Sequence, residues 1–400
     1  MLNVFTKTKP WMVASLLAAT SVFGQTKDMS KDSSQDRCRP KVCEPMPQTQ
    51  LMPAYNAPAR IDVRGSWDIY AGASFIYWQA RQENMEVCAS TVTDLSAIFP
   101  GTVGATLTSK INNHNFKYKP GFKVLAGLNF DHDAWDAYAE YTWFKSNTTT
   151  RSNGIDTSEA QPFGAITPIN ALPRLGAIVS IPTGGFGSAK QTWKLNMQFL
   201  DTALARSYYV GTKLTFRSIY GARFAWFTQS KSLTFSPFAT GEALVSNPVG
   251  GTLTQVQNFS SWGAGPMAGL NTNWNIGEGF RLIGNGSLDL LYTRVQTSNS
   301  KYQFTSSAVP PVVTTWSFRE DRPDFLMPHM NLEMGFGWGS YFDCNNWHID
   351  LLATYGFQVF WNANLFRQFN DDSGISYTNS NMPNGNLYVH GLTVTMRIDF

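Results

Sequence analysis

Charged residues and long apolar runs are both scarce in this 400-residue chain, and the two absences together narrow its class. Asp, Glu, Lys and Arg make up only 15% of the sequence, against roughly 25% in ordinary soluble domains. Mean hydropathy is nevertheless -0.21, and no run approaches the roughly 20 apolar residues that a spanning helix needs. The composition therefore excludes a helical membrane protein. The small net charge of +3 gives no reason to expect nucleic-acid binding.

Residues that carry catalytic or metal chemistry are also few. The five histidines show no H-x-x-x-H or other ligand spacing, and the Gly-rich segment "TGGFGSAK" lacks the spacing of a phosphate-binding loop. The sequence "DHD" at 131–133 falls in a predicted hairpin turn, where Asp is favoured for ordinary turn geometry. We therefore expect no enzyme, no metal site and no cofactor.

The four cysteines are Cys38, Cys43, Cys88 and Cys344. In an oxidising compartment an even number permits disulfides, but four cysteines allow three pairings and the sequence does not choose among them. No second pair of cysteines or histidines accompanies Cys38 and Cys43, so a local or intermolecular disulfide is favoured over a zinc site there.

Aromatic residues, in contrast, make up 14% of the chain, and many of them fall in segments with a period of two. The last segment, "GNLYVHGLTVTMRIDF", places Leu392, Val394 and Met396 on one face and polar residues on the other, which is typical of a β-strand. Nine further segments show the same alternation, among them "WDIYAGASFIYW", "GFKVLAGLNF" and "AWDAYAEYTWF". The chain is therefore predicted to form about ten strands.

The connections between these segments alternate in length. Short turns are predicted near 131–133, 209–213, 275–279 and 341–346, and long links at 80–115, 148–188, 231–258, 298–322 and 362–385. Short periplasmic turns, long extracellular loops and an even strand number are the features of a transmembrane antiparallel up-and-down β-barrel in the bacterial outer membrane. Trp and Tyr residues near the strand ends, including Trp193 and Trp226, are expected to form its aromatic girdles. Twelve strands result if the first two long loops contribute another pair.

The N-terminus predicts export. Lys7 and Lys9 precede the short apolar run "WMVASLLAA", and small residues lie before Gln25, which is typical of a signal peptide over residues 1–24. Residues 25–60 are polar and contain Cys38 and Cys43, and we expect a flexible periplasmic segment there. The barrel is expected over residues 61–400.

Three stretches, "KYKPGFKVLAGLNFDHDAWDAYAEYTWF", "WKLNMQFLDTALARSYYVGTKLTFRSIYGARFAWF" and "GAGPMAGLNTNW", resemble the Legionella-type pore-forming major outer membrane proteins, a family also found in environmental relatives of the chlamydiae. The resemblance extends over about residues 60–400 and implies a porin. The terminal strand ending in Phe400 resembles the assembly signal by which such barrels are delivered to the barrel-assembly machinery. Disulfide cross-linking of chlamydial major outer membrane proteins suggests a similar use for Cys38 and Cys43.

Charged residues on the polar faces of the strands are the candidates for lining a pore. Basic and acidic groups nearly cancel there, which predicts either an open pore with weak ion selectivity or a plug of ion-paired side chains in a closed barrel. The candidates are Lys123, Asp136, Glu140, Lys194, Arg217, Arg223, Arg281, Asp289, Glu333, Asp350 and Arg397.

Two functions follow from these alternatives. The first is a porin for passive diffusion of ions and small hydrophilic solutes. The second is a structural or adhesive surface protein with a plugged barrel, whose long loops bind host or matrix. The expected partners are outer-membrane lipid, the barrel-assembly machinery, small hydrophilic solutes, and further copies of the chain or disulfide cross-linked neighbours.

Overall fold

The computed structural model of the chain describes residues 57–63, 68–94, 106–130, 133–153, 164–167, 186–237, 250–321, 324–371, 378–381 and 385–400. The expected signal peptide and both Cys38 and Cys43 lie outside these ranges. None of the described residues belongs to a helix long and apolar enough to cross a membrane.

The described residues contain sixteen strands. They are β1 (Ile69–Gln82), β2 (Glu86–Asp94), β3 (Thr106–Asn113), β4 (Tyr118–Asn129), β5 (Trp135–Asn153), β6 (Gly164–Thr167), β7 (Ser188–Val210), β8 (Leu214–Ser236), β9 (Gly251–Gly277), β10 (Phe280–Ser306), β11 (Val313–Arg319), β12 (Phe325–Phe342), β13 (Trp347–Asn364), β14 (Gln368–Asp371), β15 (Thr378–Asn381) and β16 (Gly385–Asp399).

Ten of these strands close into an antiparallel barrel in the order β1, β4, β5, β7, β8, β9, β10, β12, β13, β16. The last strand pairs back onto the first, from Tyr70 opposite Asp399 to Gln82 opposite Leu387, and Phe400 donates its N–H to the carbonyl of Ile69 at 3.2 Å. The predicted count of ten is confirmed. The loops do contain strands, but β2, β3 and β6 form a separate sheet, as do β14 and β15, and β11 only extends the edge of β10.

All four short connections lie at one end of the barrel. The turn after β7 contains Gly211 with a φ of 83°, and the turn after β9 contains Gly279 with a φ of 81°, a left-handed conformation that glycine adopts without steric cost. The five long connections lie at the other end. In bacterial outer-membrane barrels the short turns face the periplasm and the long loops face the exterior.

The barrel wall is much taller on one side. β7 and β8 each have 23 residues and β9 and β10 each have 27, whereas β4 has 12. A tilted strand crosses a bilayer with about 9–11 residues, so β7 to β10 continue well beyond it. The sequence-based assignment of 231–258 to a loop is therefore wrong at both edges, because β8 continues to Ser236 and β9 begins at Gly251. That of 298–322 is wrong at its first edge, because β10 continues to Ser306.

The outer surface of the barrel changes character between its periplasmic end and the ends of the tall strands. Near the periplasmic end it is apolar, with Leu288 59% exposed, Phe336 66% exposed and Met334 67% exposed; we call this zone the membrane belt. On β5, β7 and β8 the belt ends at a row formed by Trp143, Gln198 and Trp226, which are direct cross-strand partners.

Beyond that row the wall faces outward with Thr, Ser, Asn, Lys and Arg, and we call residues 145–153, 188–197 and 228–236 the upper wall. Apolar side chains of the upper wall face the interior instead. Trp193, expected in an aromatic girdle, is fully buried inside the barrel. The expectation fails because water, not lipid, covers the outside of this part of the strand.

Candidate functional site

The interior of the membrane belt contains a polar cavity of about 410 Å³, which we call the vestibule. Alternation along the strands directs ten of the eleven predicted pore-lining residues inward. Nine of them line the vestibule: Lys123, Asp136, Glu140, Arg217, Arg223, Arg281, Glu333, Asp350 and Arg397. The tenth, Asp289, is buried behind Arg223.

Three ion pairs occupy the periplasmic level of the vestibule. Arg217 pairs with Asp136, which also accepts a hydrogen bond of 2.7 Å from the hydroxyl of Tyr70. Arg281 pairs with Asp350, and Nε of Arg397 donates to Oδ1 of Asp399 at 3.0 Å. Every cation at this level therefore has a carboxylate partner, as charges removed from bulk water require.

A second level is formed around Lys123 and Arg223. Nζ of Lys123 lies 3.2 Å from Glu140 and 3.9 Å from Glu333. Arg223 is bound in a bidentate manner by Asp201, at 2.6 and 2.7 Å, and by Asp289 at 2.7 Å. The two acidic partners are almost completely buried.

Asp201 and His329 belong to this level but were missed in the sequence. Nδ1 of His329 lies 2.6 Å from Oδ2 of Asp289. Extending the alternation of β12 toward its start would have included His329 on the polar face. Asp201 shares a face with Trp193, which was expected to face lipid, so extending the alternation of β7 would have placed Asp201 outward. Both residues lie just outside the segments that were recognised as strands.

An aromatic layer of Phe199, Phe227 and Phe360 lies directly above the ion pairs. The ring of Phe360 is 5.5 Å from that of Phe199 and 5.3 Å from that of Phe227, and it stacks on His329 at 4.0 Å. β7 and β13 are five places apart in the ten-strand order, so the contact between Phe199 and Phe360 crosses the full width of the barrel. Side chains occupy the lumen at this height.

The space above the aromatic layer is also filled. Trp78, Phe144, Leu195 and Met197 continue the same buried cluster. A second buried cluster, formed where the β2–β3–β6 sheet meets the upper wall, contains Val87, Cys88, Ile166, Phe186, Ala189, Leu233, Phe235, Leu253 and Phe304.

A buried lysine lies between the two clusters. Lys231 has its Nζ 5.2 Å from the centroid of the Phe366 ring, and burial lowers the pKa of Lys231 to about 8, although the charge of Glu86 opposes the shift. Burial also lowers the pKa of His114 to about 4, with the charge of Lys231 adding to the effect. His114 contacts Thr148 at 2.7 Å and Gln191 at 3.3 Å. The sequence-based prediction assigned Lys231 to a loop and so missed it.

The periplasmic mouth is crossed by residues 57–63. Ala59 donates its N–H to Ser207 at 3.1 Å, and Tyr209 donates to Ala57 at 2.8 Å. Farther along, Arg60 donates to the carbonyl of Phe130 at 3.0 Å. The segment thus joins the periplasmic ends of β7 and β4, and Ala59, Arg60 and Ile61 line the vestibule.

Two sequence-based assignments need correction. Lys194 does not line the lumen; its side chain is exposed on the outer surface of β7, because the polar and apolar faces exchange sides above the membrane belt. Cys88 is a free, fully buried cysteine, so it forms no disulfide, whereas Cys344 is disulfide-bonded.

The remaining predicted site residue is Phe400, whose ring lies 5.7 Å from that of Trp347 on the neighbouring strand. Its role in assembly stays a prediction. Among the described residues no group of three or more His, Cys, Asp or Glu could hold a metal ion.

A closed antiparallel barrel with an apolar outer belt, a row of tryptophans at the upper edge of that belt and all long loops at one end is an outer-membrane β-barrel. The chain belongs to the family described as Legionella pneumophila major outer membrane protein precursor, whose model matches residues 62–400. The protein is therefore located in the outer membrane.

Three solved structures are similar to this chain over most of its length. The outer membrane protease OmpT of Escherichia coli is 9% identical, with 84% of this chain and 98% of that chain covered and a TM-score of 0.34. A Pseudomonas aeruginosa FadL homologue is 7% identical, with coverage of 84% and 90% and a TM-score of 0.25. The Ralstonia pickettii toluene transporter TbuX is 10% identical, with coverage of 82% and 89% and a TM-score of 0.26. No curated protein matches the chain. Similarity at this level says nothing about activity.

Proposed function

We propose that the chain is a structural outer-membrane barrel with a closed lumen, which holds its long loops at the cell surface. The aromatic layer is the observation that carries this proposal. Phe199 and Phe360 approach from opposite walls and stack at 5.5 Å, and both are almost completely buried. Rings at this separation are in van der Waals contact, which supports a lumen that is closed to hydrated ions at this height.

A second candidate function is a gated porin for ions and small hydrophilic solutes. The vestibule favours it, because about 410 Å³ of polar space lies directly below the aromatic layer. If the rings moved aside, Lys123, Arg223 and Arg281 would line the route. Their acidic partners nearly balance their charge, so such a pore would select only weakly between cations and anions.

The proposal includes no catalytic step. Asp289 and His329 form a pair in the interior that resembles an acid–base constellation. Both side chains have no solvent exposure, and the aromatic layer covers His329 from above. A substrate would have no access to them, so we assign the pair to holding Arg223.

The deciding experiment is single-channel conductance of the refolded, full-length mature protein in a planar lipid bilayer. We expect silence from the wild type and discrete conductance steps from Phe199→Ala/Phe360→Ala, because removing both rings opens the narrowest level. Phe336→Ala is the matched control, since that ring faces lipid and is 66% exposed; it should stay silent. Circular dichroism and heat-modifiable migration establish that each protein is folded.

Conductance steps from the wild type would contradict the closed barrel and support the gated porin. In that case Lys123, Arg223 and Arg281 would each be changed to Glu. A rise in cation preference would then show that the vestibule lines the pore.

A further inference from the structure

The outer surface of the upper wall carries a basic patch. Within the part of the chain that the structure describes, its charged groups neither line the lumen nor take part in ion pairs that stabilise the fold. Lys145 and Arg151 on β5 and Lys190 and Lys194 on β7 are all exposed. The upper-wall residues 145–153, 188–197 and 228–236 contain no Asp or Glu. None of the four basic groups forms an ion pair with a residue that the structure describes.

The pairing of the strands concentrates this charge. Arg151 is the direct cross-strand partner of Lys190, and like charges placed opposite each other destabilise a sheet. Lys194 lies opposite Asn147 on β5 and Ser230 on β8. An anion held between the cations would relieve the repulsion that the strand register imposes.

A groove accompanies the charges. It has a volume of about 250 Å³ and is lined by Lys190, Thr192, Lys194, Ser230, Ser232 and Thr234. Two ammonium groups and four hydroxyl groups thus converge on one concave surface. Ammonium groups bind phosphate as point charges, and hydroxyl groups donate to phosphate or sugar oxygens.

The position of the groove relative to the membrane belt identifies its occupant. Trp143 and Trp226 mark the edge of the belt, and Nζ of Lys145 lies 5.0 Å from the centroid of the Trp143 ring. Lys194 lies four residues beyond Gln198 on β7 and Lys190 eight residues beyond it, which corresponds to about 14 and 27 Å along the strand. The cations therefore begin at the interface and continue outward through the layer of lipid headgroups.

We propose that this basic patch is a binding site for a phosphorylated glycolipid of the outer leaflet, with its phosphates on Lys190 and Lys194 and its sugars on the hydroxyl groups of β7 and β8. The glycolipid is favoured over free phosphate because the patch is continuous with the lipid-covered surface. It is favoured over a simple phospholipid because the charges extend far beyond the aromatic row.

The test measures binding of fluorescently labelled lipopolysaccharide to the folded, full-length mature protein in detergent micelles, by fluorescence anisotropy. Lys190→Gln/Lys194→Gln should weaken binding roughly 30-fold, since each basic group near a phosphate-bearing surface contributes about a fivefold gain. Lipopolysaccharide with its phosphates removed should bind the wild type as weakly as intact lipopolysaccharide binds the variant.

Two further variants serve as controls. Lys110→Gln/Lys301→Gln removes the same charge from exposed positions on β3 and β10 and should retain wild-type affinity. Lys190→Arg/Lys194→Arg restores the charge and should restore binding. Heat-modifiable migration shows that each variant is folded.

Wild-type affinity in Lys190→Gln/Lys194→Gln would overturn the proposal, as would an equal loss in Lys110→Gln/Lys301→Gln. Tight binding of dephosphorylated lipopolysaccharide would also overturn it. Displacement by an equal concentration of inorganic phosphate would mean a site for the free ion and would contradict the assignment to a lipid.

Discussion

The membrane belt and the upper wall are parts of the same strands, yet their inner and outer faces have opposite character. On β8 within the belt, Phe224 faces outward and Arg223 faces inward; on β8 above it, Ser232 faces outward and Leu233 faces inward. Lipid outside and paired charges inside give way to water outside and a hydrophobic core inside. A period of two therefore identifies a strand, but the surrounding solvent decides which face is polar.

The two regions also differ in what keeps their interiors stable. The upper clusters are stabilised by burial of apolar area, as in a soluble protein. The interior of the belt is held by ion pairs, whose partners lose hydration when they are buried. Removing one partner of an ion pair in the belt interior should therefore cost more stability than any exposed substitution. In the upper interior, replacing an unpaired charged residue with an apolar one should raise stability.

The largest effect is expected at Arg223. Arg223→Met preserves most of the side-chain volume against Phe199 but leaves Asp201 and Asp289 buried without a cation. We expect a loss of about 3–5 kcal/mol in the free energy of unfolding, measured by urea titration in lipid vesicles with tryptophan fluorescence.

Arg206→Met is the matched control, because Arg206 pairs with Asp133 at 2.7 Å in an exposed turn. That change should cost less than about 1 kcal/mol. Similar losses in the two variants would mean that the interior of the belt is hydrated enough to screen its charges.

A somewhat smaller effect is expected on the outer face of the barrel. There, introducing an arginine should lower stability in the membrane belt but not above it. Leu288→Arg places a charge near the middle of the membrane belt and should cost about 2–4 kcal/mol. Thr254→Arg places it on an outward position of β9 above the belt, beside Thr234 and Gln303, and should be nearly neutral. The same urea titration distinguishes the two positions. Equal costs at both positions would place the lipid boundary higher than the row of Trp143 and Trp226.

The fold was largely predictable from the sequence because lipid imposes a strict pattern on the belt. The ten strands, the end at which the loops lie and ten of the eleven charges that were predicted to face inward follow from that pattern. The upper wall was not predictable in the same way. Segments such as "LTFS" on β8 lack an apolar outward face, so the alternation expected of a lipid-facing strand ends at Trp226. A prediction based on that alternation therefore assigns Lys231 to a loop and, on β7, Lys194 to the lumen.

The closed lumen was one of two alternatives in the sequence. Inward aromatic residues such as Phe199 and Phe360 alternate with polar neighbours in the same way as outward ones do. Only the pairing order, which places β7 opposite β13, shows that their rings meet. That contact is a property of the closed barrel and not of either segment, so no pattern along one strand reveals it.

The smallest of the expected effects is a gain in stability, and it comes from the upper interior. Lys231 is buried between apolar clusters, and its pKa falls to about 8 from its usual 10.5. Lys231→Met should raise the free energy of unfolding at neutral pH by about 1–3 kcal/mol, because the folded protein no longer holds a poorly hydrated ammonium group.

The pH dependence separates this cause from simple repacking. Between pH 8 and 10.5 the unfolded wild type binds more protons at Lys231 than the folded protein does, so wild-type stability rises with pH across that window. Lys231→Met lacks this contribution, and His114, whose pKa lies at about 4 in the folded protein and about 6.5 in the unfolded chain, adds no slope in this window. The advantage of the variant should therefore be full below pH 8 and disappear toward pH 10.5 in parallel urea titrations. A constant advantage across the window would mean that the methionine acts through packing and that Lys231 is hydrated in the folded barrel.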